Sequence, residues 1–134
     1  MKPTHIEHIG IAVRSLAEAV PFFERLLGRP CYAFEEVADQ KVKTAFFHIG
    51  ETKIELLEST APDGPIGRFL EKRGEGVHHI ALAVPGVGEA LSVLEEWGVE
   101  LLDRNSRPGA EGLQTGFLHP KSTHGVLMEL CGKE

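Results

Sequence analysis

A chain of 134 residues with 42% hydrophobic and 25% charged residues can bury one ordinary core and lacks the composition of a disordered segment. Fourteen basic against 20 acidic residues argue against a general nucleic-acid binder, although a local basic patch is enough for a small anionic ligand. No run approaches the roughly 18 apolar residues of a membrane span and no apolar leader opens the chain, so a soluble cytoplasmic protein without a membrane partner is expected.

The first element in chain order is "HIGIAV", whose β-rich alternation predicts a strand. "SLAEAVPFFERLLG" follows as a helix, with Ser15 and Glu18 in capping-box spacing, Leu16, Val20, Phe23 and Leu27 on one face, and Gly28 at the stop. Pro21 removes one backbone bond inside that pattern, which predicts a bend or a late start. Three strands come next: "CYAFEEV", "VKTAFFHIG" and "TKIELLES". "APDGPIGRFLEKRGEG" reads as a turn and a short linker helix from about Ile66 to Arg73. The same order then recurs, with a strand at "GVHHIALAV", a helix at "GVGEALSVLEEWG" with Val87, Leu91 and Leu94 on one face, and strands at "GVELLD", "LQTGFLHP" and "GVLMELC". The two cysteines, Cys31 and Cys131, have no zinc-type or redox spacing and read as free thiols.

The recurrence is a repeat in the residues themselves. His8 and His79 stand 71 positions apart, as do His48 and His119, while Glu55 and Glu129 stand 74 apart. The three-residue drift places an insertion in the turn "PKSTHG". A long period seen twice is a duplicated module, not a solenoid. The expected organisation is one α+β domain over residues 1–134, with module 1 at about 5–58, a linker helix at about 63–74 and module 2 at about 76–131.

Strand alternation gives His8 the small face-mates Gly10 and Ala12, and His79 the face-mates Ala81 and Ala83, which suits a face lining a cleft. Glu55 lies between Ile54 and Leu56, and Glu129 between Met128 and Leu130. A carboxylate centred in an apolar strand is costly unless it is exposed, paired or bound to a metal. A single strand histidine or alternating glutamate would ordinarily be read as hydrogen-bonded or solvated. Recurrence of both types at equivalent positions favours a shared site. Two imidazoles and two carboxylates suit a borderline divalent ion such as Co, Mn, Ni, Zn or Fe(II), and leave two octahedral positions for a substrate that chelates through two oxygens.

At these residues the sequence resembles the vicinal-oxygen-chelate superfamily and, within it, the methylmalonyl-CoA epimerases. The matching segments are "HIGIAV", "IELLE", "FLEKRGEGVHHIA", "RPGAEG" and "FLHPKSTHGVLMEL", and the linker helix running into "GEGVHHIA" together with "HPKST" is the more specific part. The resemblance implies a glyoxalase/bleomycin-resistance-like fold, two tandem βαβββ modules forming a curved mixed sheet around a metal-binding cleft. It implies His8, Glu55, His79 and Glu129 as metal ligands, with Glu129 also the catalytic carboxylate. It implies a divalent cofactor, Co2+ foremost with Mn2+, Ni2+, Zn2+ or Mg2+ as alternatives, an acyl-CoA thioester substrate and a homodimer. Epimerisation at C2 would run through a metal-stabilised enolate. Some members carry a second catalytic glutamate on the strand that reads "VKTAFF" here; Thr44 takes that place, with Glu35 and Glu36 just upstream. Lys121, Ser122, Arg104 and Arg107 are the candidate contacts for the anionic CoA arm.

Three other readings stay open on the residues. A glyoxalase-I-type isomerase could use the same four ligands on a glutathione thiohemiacetal. An Fe(II) ring-cleaving dioxygenase needs only two histidines and one glutamate. A metal-free module could bind a small molecule in the same cleft, and metal content of the purified protein separates it from the rest.

Overall fold

The computed structural model describes residues 1–133. Its elements run β1 (His5–Ala12), α1 (Leu16–Leu27), β2 (Ala33–Val37), β3 (Val42–Ile49) and β4 (Thr52–Ser59), then α2 (Pro65–Arg73). The second series is β5 (Gly76–Ala83), α3 (Val87–Glu96), β6 (Arg107–Pro108), β7 (Gln114–Leu118) and β8 (Met128–Gly132). The fold is therefore α+β and writes βαβββ twice, as the repeat predicts. No helix among the described residues is long and apolar enough to cross a membrane.

The chain divides into two compact units, Ile9–His78 and a second made of Met1–His8 with the chain from His79 onward. In the first, the strand order is β2-β3-β4-β1, and β2 with β3 and β3 with β4 pair antiparallel. Because successive strand residues point to opposite faces, Leu56 and Leu57 enter different cores. On one side Leu16, Val20 and the half-buried Phe23 and Leu27 of α1 pack on Ala45, Phe47 and Leu56. On the other, Ile66 and Leu70 of α2 pack on Ala12, Val42 and Leu57. Each such buried aliphatic side chain contributes about 1.5–3 kcal/mol of hydrophobic stabilisation.

Helix α1 begins on time. The Ser15 hydroxyl accepts from the Glu18 N–H at 3.3 Å, and Gly28 ends the helix in the left-handed region at φ 66°. The expected late start caused by Pro21 does not occur: the helix runs through it. Pro21 and Ala17, whose carbonyl loses the proline's missing bond, are both exposed, so water can serve the orphaned oxygen.

In the other unit the order is β1-β5-β8-β7-β6, with β5 parallel to β8 and β7 antiparallel to it. Val87, Ala90, Leu91 and Leu94 of α3 cover Leu118 and Leu130 on one face. Gly116 allows this approach, since a Cβ there would stand 2.8 Å from Leu91 Cδ1. The expected strand "GVELLD" is absent as such. Leu101 makes a single bridge to Leu118, and the Phe117 N–H is taken by the Asp103 carboxylate at 2.8 Å instead of by a strand partner. The strand of that position is the two-residue β6, an edge that contains Pro108, which has no N–H to extend a ladder. The insertion falls where the drift in the repeat places it. β3 and β4 join through Gly50 and Glu51, whereas β7 and β8 join through a longer turn that includes the 3-10 segment Pro120–Ser122.

Candidate metal centre

His8 on β1, His79 on β5 and Glu129 on β8 come together in the unit that holds residues 1–8 and 79 onward. All three are buried, with 4%, 6% and 6% of their surfaces exposed, so water contributes little to their solvation. Glu129 faces Ala81 across the parallel β5–β8 pair and Phe117 across the antiparallel β7–β8 pair. The small Ala81 leaves room above the sheet, and Phe117 packs edge-on against His79 with ring centroids 5.5 Å apart. Leu82 and Leu130 point the other way, into the core under α3.

Three atoms form a nearly equilateral triangle. His8 Nε2 is 3.0 Å from His79 Nε2, and each lies 3.0 Å from Glu129 Oε1. With bonds of about 2.1 Å, adjacent ligands of an octahedral ion stand about 3.0 Å apart, against about 3.4 Å in a tetrahedron. The edges match one face of an octahedron. Proton bookkeeping points the same way. His8 Nδ1 lies 2.7 Å from Glu7 Oε1, a carboxylate that can only accept, so Nδ1 donates its N–H. Neutral His8 then presents a lone pair at Nε2, aimed at another acceptor, Glu129 Oε1. A cation between them satisfies both lone pairs, a task otherwise left to the His79 Nε2–H, 3.0 Å from each, or to a second proton on His8. The donor set fits a divalent ion.

Burial is the largest influence on the Glu129 carboxyl and pushes its pKa up, but hydrogen bonds from His79 and His8, with their positive charge, outweigh it. The group is held well below the usual carboxylate range. Its second oxygen is also occupied. Oε2 accepts from the Thr115 hydroxyl and, at 3.3 Å, from the Cys131 thiol. Burial and the neighbouring Glu129 charge push the Cys131 thiol far up, so it is a protonated donor. Sequence reasoning missed Glu7, Thr115 and Cys131. A period-two signal existed for Cys131, two positions after Glu129 on the same strand face. Glu7 gave no such signal, because neighbours in a strand default to opposite faces.

Residues 7–117 match the family described as the Glyoxalase/Bleomycin resistance protein/Dioxygenase superfamily. The uncharacterized protein YqjC of Bacillus subtilis is 45% identical over 126 residues, spanning 94% of this chain and 90% of that protein. The mitochondrial methylmalonyl-CoA epimerase of Homo sapiens is 35% identical over 126 residues, spanning 93% of this chain and 72% of the human protein. A solved Streptomyces coelicolor methylmalonyl-CoA epimerase in complex with 2-nitronate-propionyl-CoA matches with a TM-score of 0.94 at 37% identity, covering 98% of this chain and 95% of that one. The chain belongs to the methylmalonyl-CoA epimerase family.

The remaining candidates of this family member fall as follows. Glu55 is buried on β4 of the unit Ile9–His78, on the face opposite Ile54 and Leu56, which pack toward α1. Thr44, at the place compared with a family glutamate, is buried on β3, and its hydroxyl donates to the Glu35 carbonyl across the β2–β3 pair at 3.0 Å. Glu36 is exposed and Glu35 half-buried. In the β7–β8 turn, Lys121 is exposed, while the Ser122 hydroxyl accepts the Glu100 N–H at 2.9 Å. Arg104 pairs with Glu95 at 3.1 Å and Arg107 with Asp103 at 3.5 Å. Both cysteines are free.

Proposed function

We propose that this chain is a metal-dependent methylmalonyl-CoA epimerase that interconverts the (2R) and (2S) forms by removing and returning the C2 hydrogen. The observation that carries the reading is the triangle of His8 Nε2, His79 Nε2 and Glu129 Oε1 with 3.0 Å edges. The methylmalonyl-CoA epimerases among its relatives support an acyl-CoA thioester as the substrate class.

C2 of such a substrate lies between a thioester and a carboxylate, and its hydrogen is far less acidic than any carboxylic acid. A divalent ion, Co2+ ahead of Mn2+, Ni2+, Zn2+ or Mg2+, would supply electrostatic stabilisation of the charge that develops on the substrate's oxygens. His8 and His79 would hold it through Nε2 and Glu129 through Oε1. Glu55, the counterpart of Glu129 in the repeat, is the proposed fourth ligand. Glu129 also serves as the carboxylate that takes the C2 proton, which requires it to be ionised, and its depressed pKa keeps it so at neutral pH. The opposite proton carrier is not Thr44, whose hydroxyl cannot ionise near neutrality. Lys121 and Ser122 lie on the turn proposed to meet the CoA arm. We place the enzyme in the cytoplasm as a homodimer.

The test is turnover of (2R)-methylmalonyl-CoA by protein treated with chelator and then reloaded with one divalent ion at a time. Activity should vanish on chelation, return with the ion and place solvent deuterium at C2 in D2O. Full activity in a demonstrably metal-free sample overturns the mechanism. Isomerisation of a glutathione thiohemiacetal, with methylmalonyl-CoA untouched, replaces it with the glyoxalase-type reading.

A further inference from the structure

We propose that Thr115 and Cys131 are positioning residues that hold Glu129 as a one-oxygen ligand, presenting Oε1 to the two imidazoles and keeping Oε2 away from the ion. The inference rests on the reading of Glu129 as a metal ligand and extends it to the residues that set its binding mode.

The geometry comes from the β7–β8 ladder. Thr115 stands directly opposite Cys131, and Phe117 directly opposite Glu129, so Thr115 reaches Glu129 along the diagonal of the antiparallel pair. Cys131, two residues beyond Glu129, projects from the same face. Both donors converge on one atom, Oε2. Thr115 and Cys131 are 1% and 2% exposed, so neither donor is exchanged for water. A carboxylate oxygen offers about two lone pairs, and two donors fill them. Oε2 then has none for a cation, and Oε1 is left facing His8 and His79 at 3.0 Å.

The consequence is a coordination count. A carboxylate bound through both oxygens would take one more position on the ion than one bound through Oε1 alone. Blocking Oε2 keeps that position for a substrate that chelates through two oxygens. It also directs both proposed roles of Glu129, ligand and base, to a single oxygen.

Thr115→Val removes the hydroxyl at nearly constant shape, and Thr115→Ser retains it. Each variant is titrated with Co2+ against a competing chelator, and the visible spectrum of the Co2+-loaded protein is recorded, with thermal unfolding as the check on folding. Thr115→Val should weaken Co2+ binding about 10–100-fold, the usual effect of removing a ligand's supporting partner, and change the Co2+ spectrum. Thr115→Ser should restore both, and adding Cys131→Ala to Thr115→Val should deepen both losses. If Thr115→Val and the double variant bind Co2+ with wild-type affinity and spectrum, the positioning role is overturned while the metal centre stands. If the wild type takes up no Co2+, the ligand reading of Glu129 fails, and this inference fails with it.

Discussion

Replacing Glu7 with glutamine tests the proton assignment on which the metal centre depends. Glu7 Oε1 lies 2.7 Å from His8 Nδ1, and both residues are buried. The amide oxygen of glutamine can still accept the Nδ1–H, so geometry survives and only the charge is lost. A hydrogen bond to a charged partner contributes about 1.5–3 kcal/mol and a neutral one about 0.5–1.5 kcal/mol. The difference, about 1–1.5 kcal/mol, corresponds to roughly a tenfold weaker hold on the ion, because it is lost from the tautomer that leaves Nε2 free to ligate. Glu7→Ala should cost more, toward about 100-fold, since it also leaves a buried N–H without its acceptor. Competition titration with a chromophoric chelator at fixed pH measures both, with Glu96→Gln on the exposed end of α3 as the control. Wild-type affinity in Glu7→Gln and Glu7→Ala would refute the argument that Glu7 fixes the His8 proton.

Glu129→Gln should lower kcat by about 100-fold or more even at saturating metal, the usual worth of a positioned general base. It should also lose metal affinity, because Thr115 and Cys131 donate to the Oε2 site, turning the amide oxygen toward them and its NH2 toward the imidazoles. In the metal-free protein the same substitution tests linkage. A carboxyl held below its unfolded value of about 4.3 adds stability that is present above that pH and lost as pH falls through the folded value. Calorimetry should therefore show the wild type losing stability below about pH 4 more steeply than Glu129→Gln; parallel curves would deny the shift. Thr44→Ala should leave turnover within about twofold while costing about 1 kcal/mol of stability through the lost bond to the Glu35 carbonyl, and a large fall in kcat would restore position 44 to the chemistry.

The order of elements was legible because each rests on a local signal: alternation in β1 and β5, the Ser15 cap and Gly28 stop of α1, and the paired offsets of the two halves. The same strand periodicity and duplication pick out His8, His79 and Glu129, whose side chains the structure brings together. What escaped depends on distances that spacing does not encode. Glu7 precedes His8, so strand geometry separates their side chains, yet the imidazole's Nδ1 still reaches its carboxylate. Thr115 reads as an ordinary β-branched strand residue until the β7–β8 register puts it diagonal to Glu129. "GVELLD" has the composition of a strand, but Asp103 takes the Phe117 N–H that a strand neighbour would have used.

The two copies of the module also differ in one filled slot, and the difference falls beside the chemistry. In the unit Ile9–His78, Ile66 and Leu70 of α2 close over Ala12, Val42 and Leu57. The repeat equates those three strand residues with Ala83, Leu113 and Cys131, and there the equivalent residues line a cavity of about 300 Å3. Glu7 lines the same cavity. His5 and Lys133 line it as well, so ionisable groups stand beside its apolar wall. Whatever enters the slot touches Glu7 and Cys131, the residues that hold His8 Nδ1 and Glu129 Oε2. Duplication thus yields one copy in which α2 covers these strand residues and one in which their counterparts line a cavity beside the groups that orient His8 and Glu129.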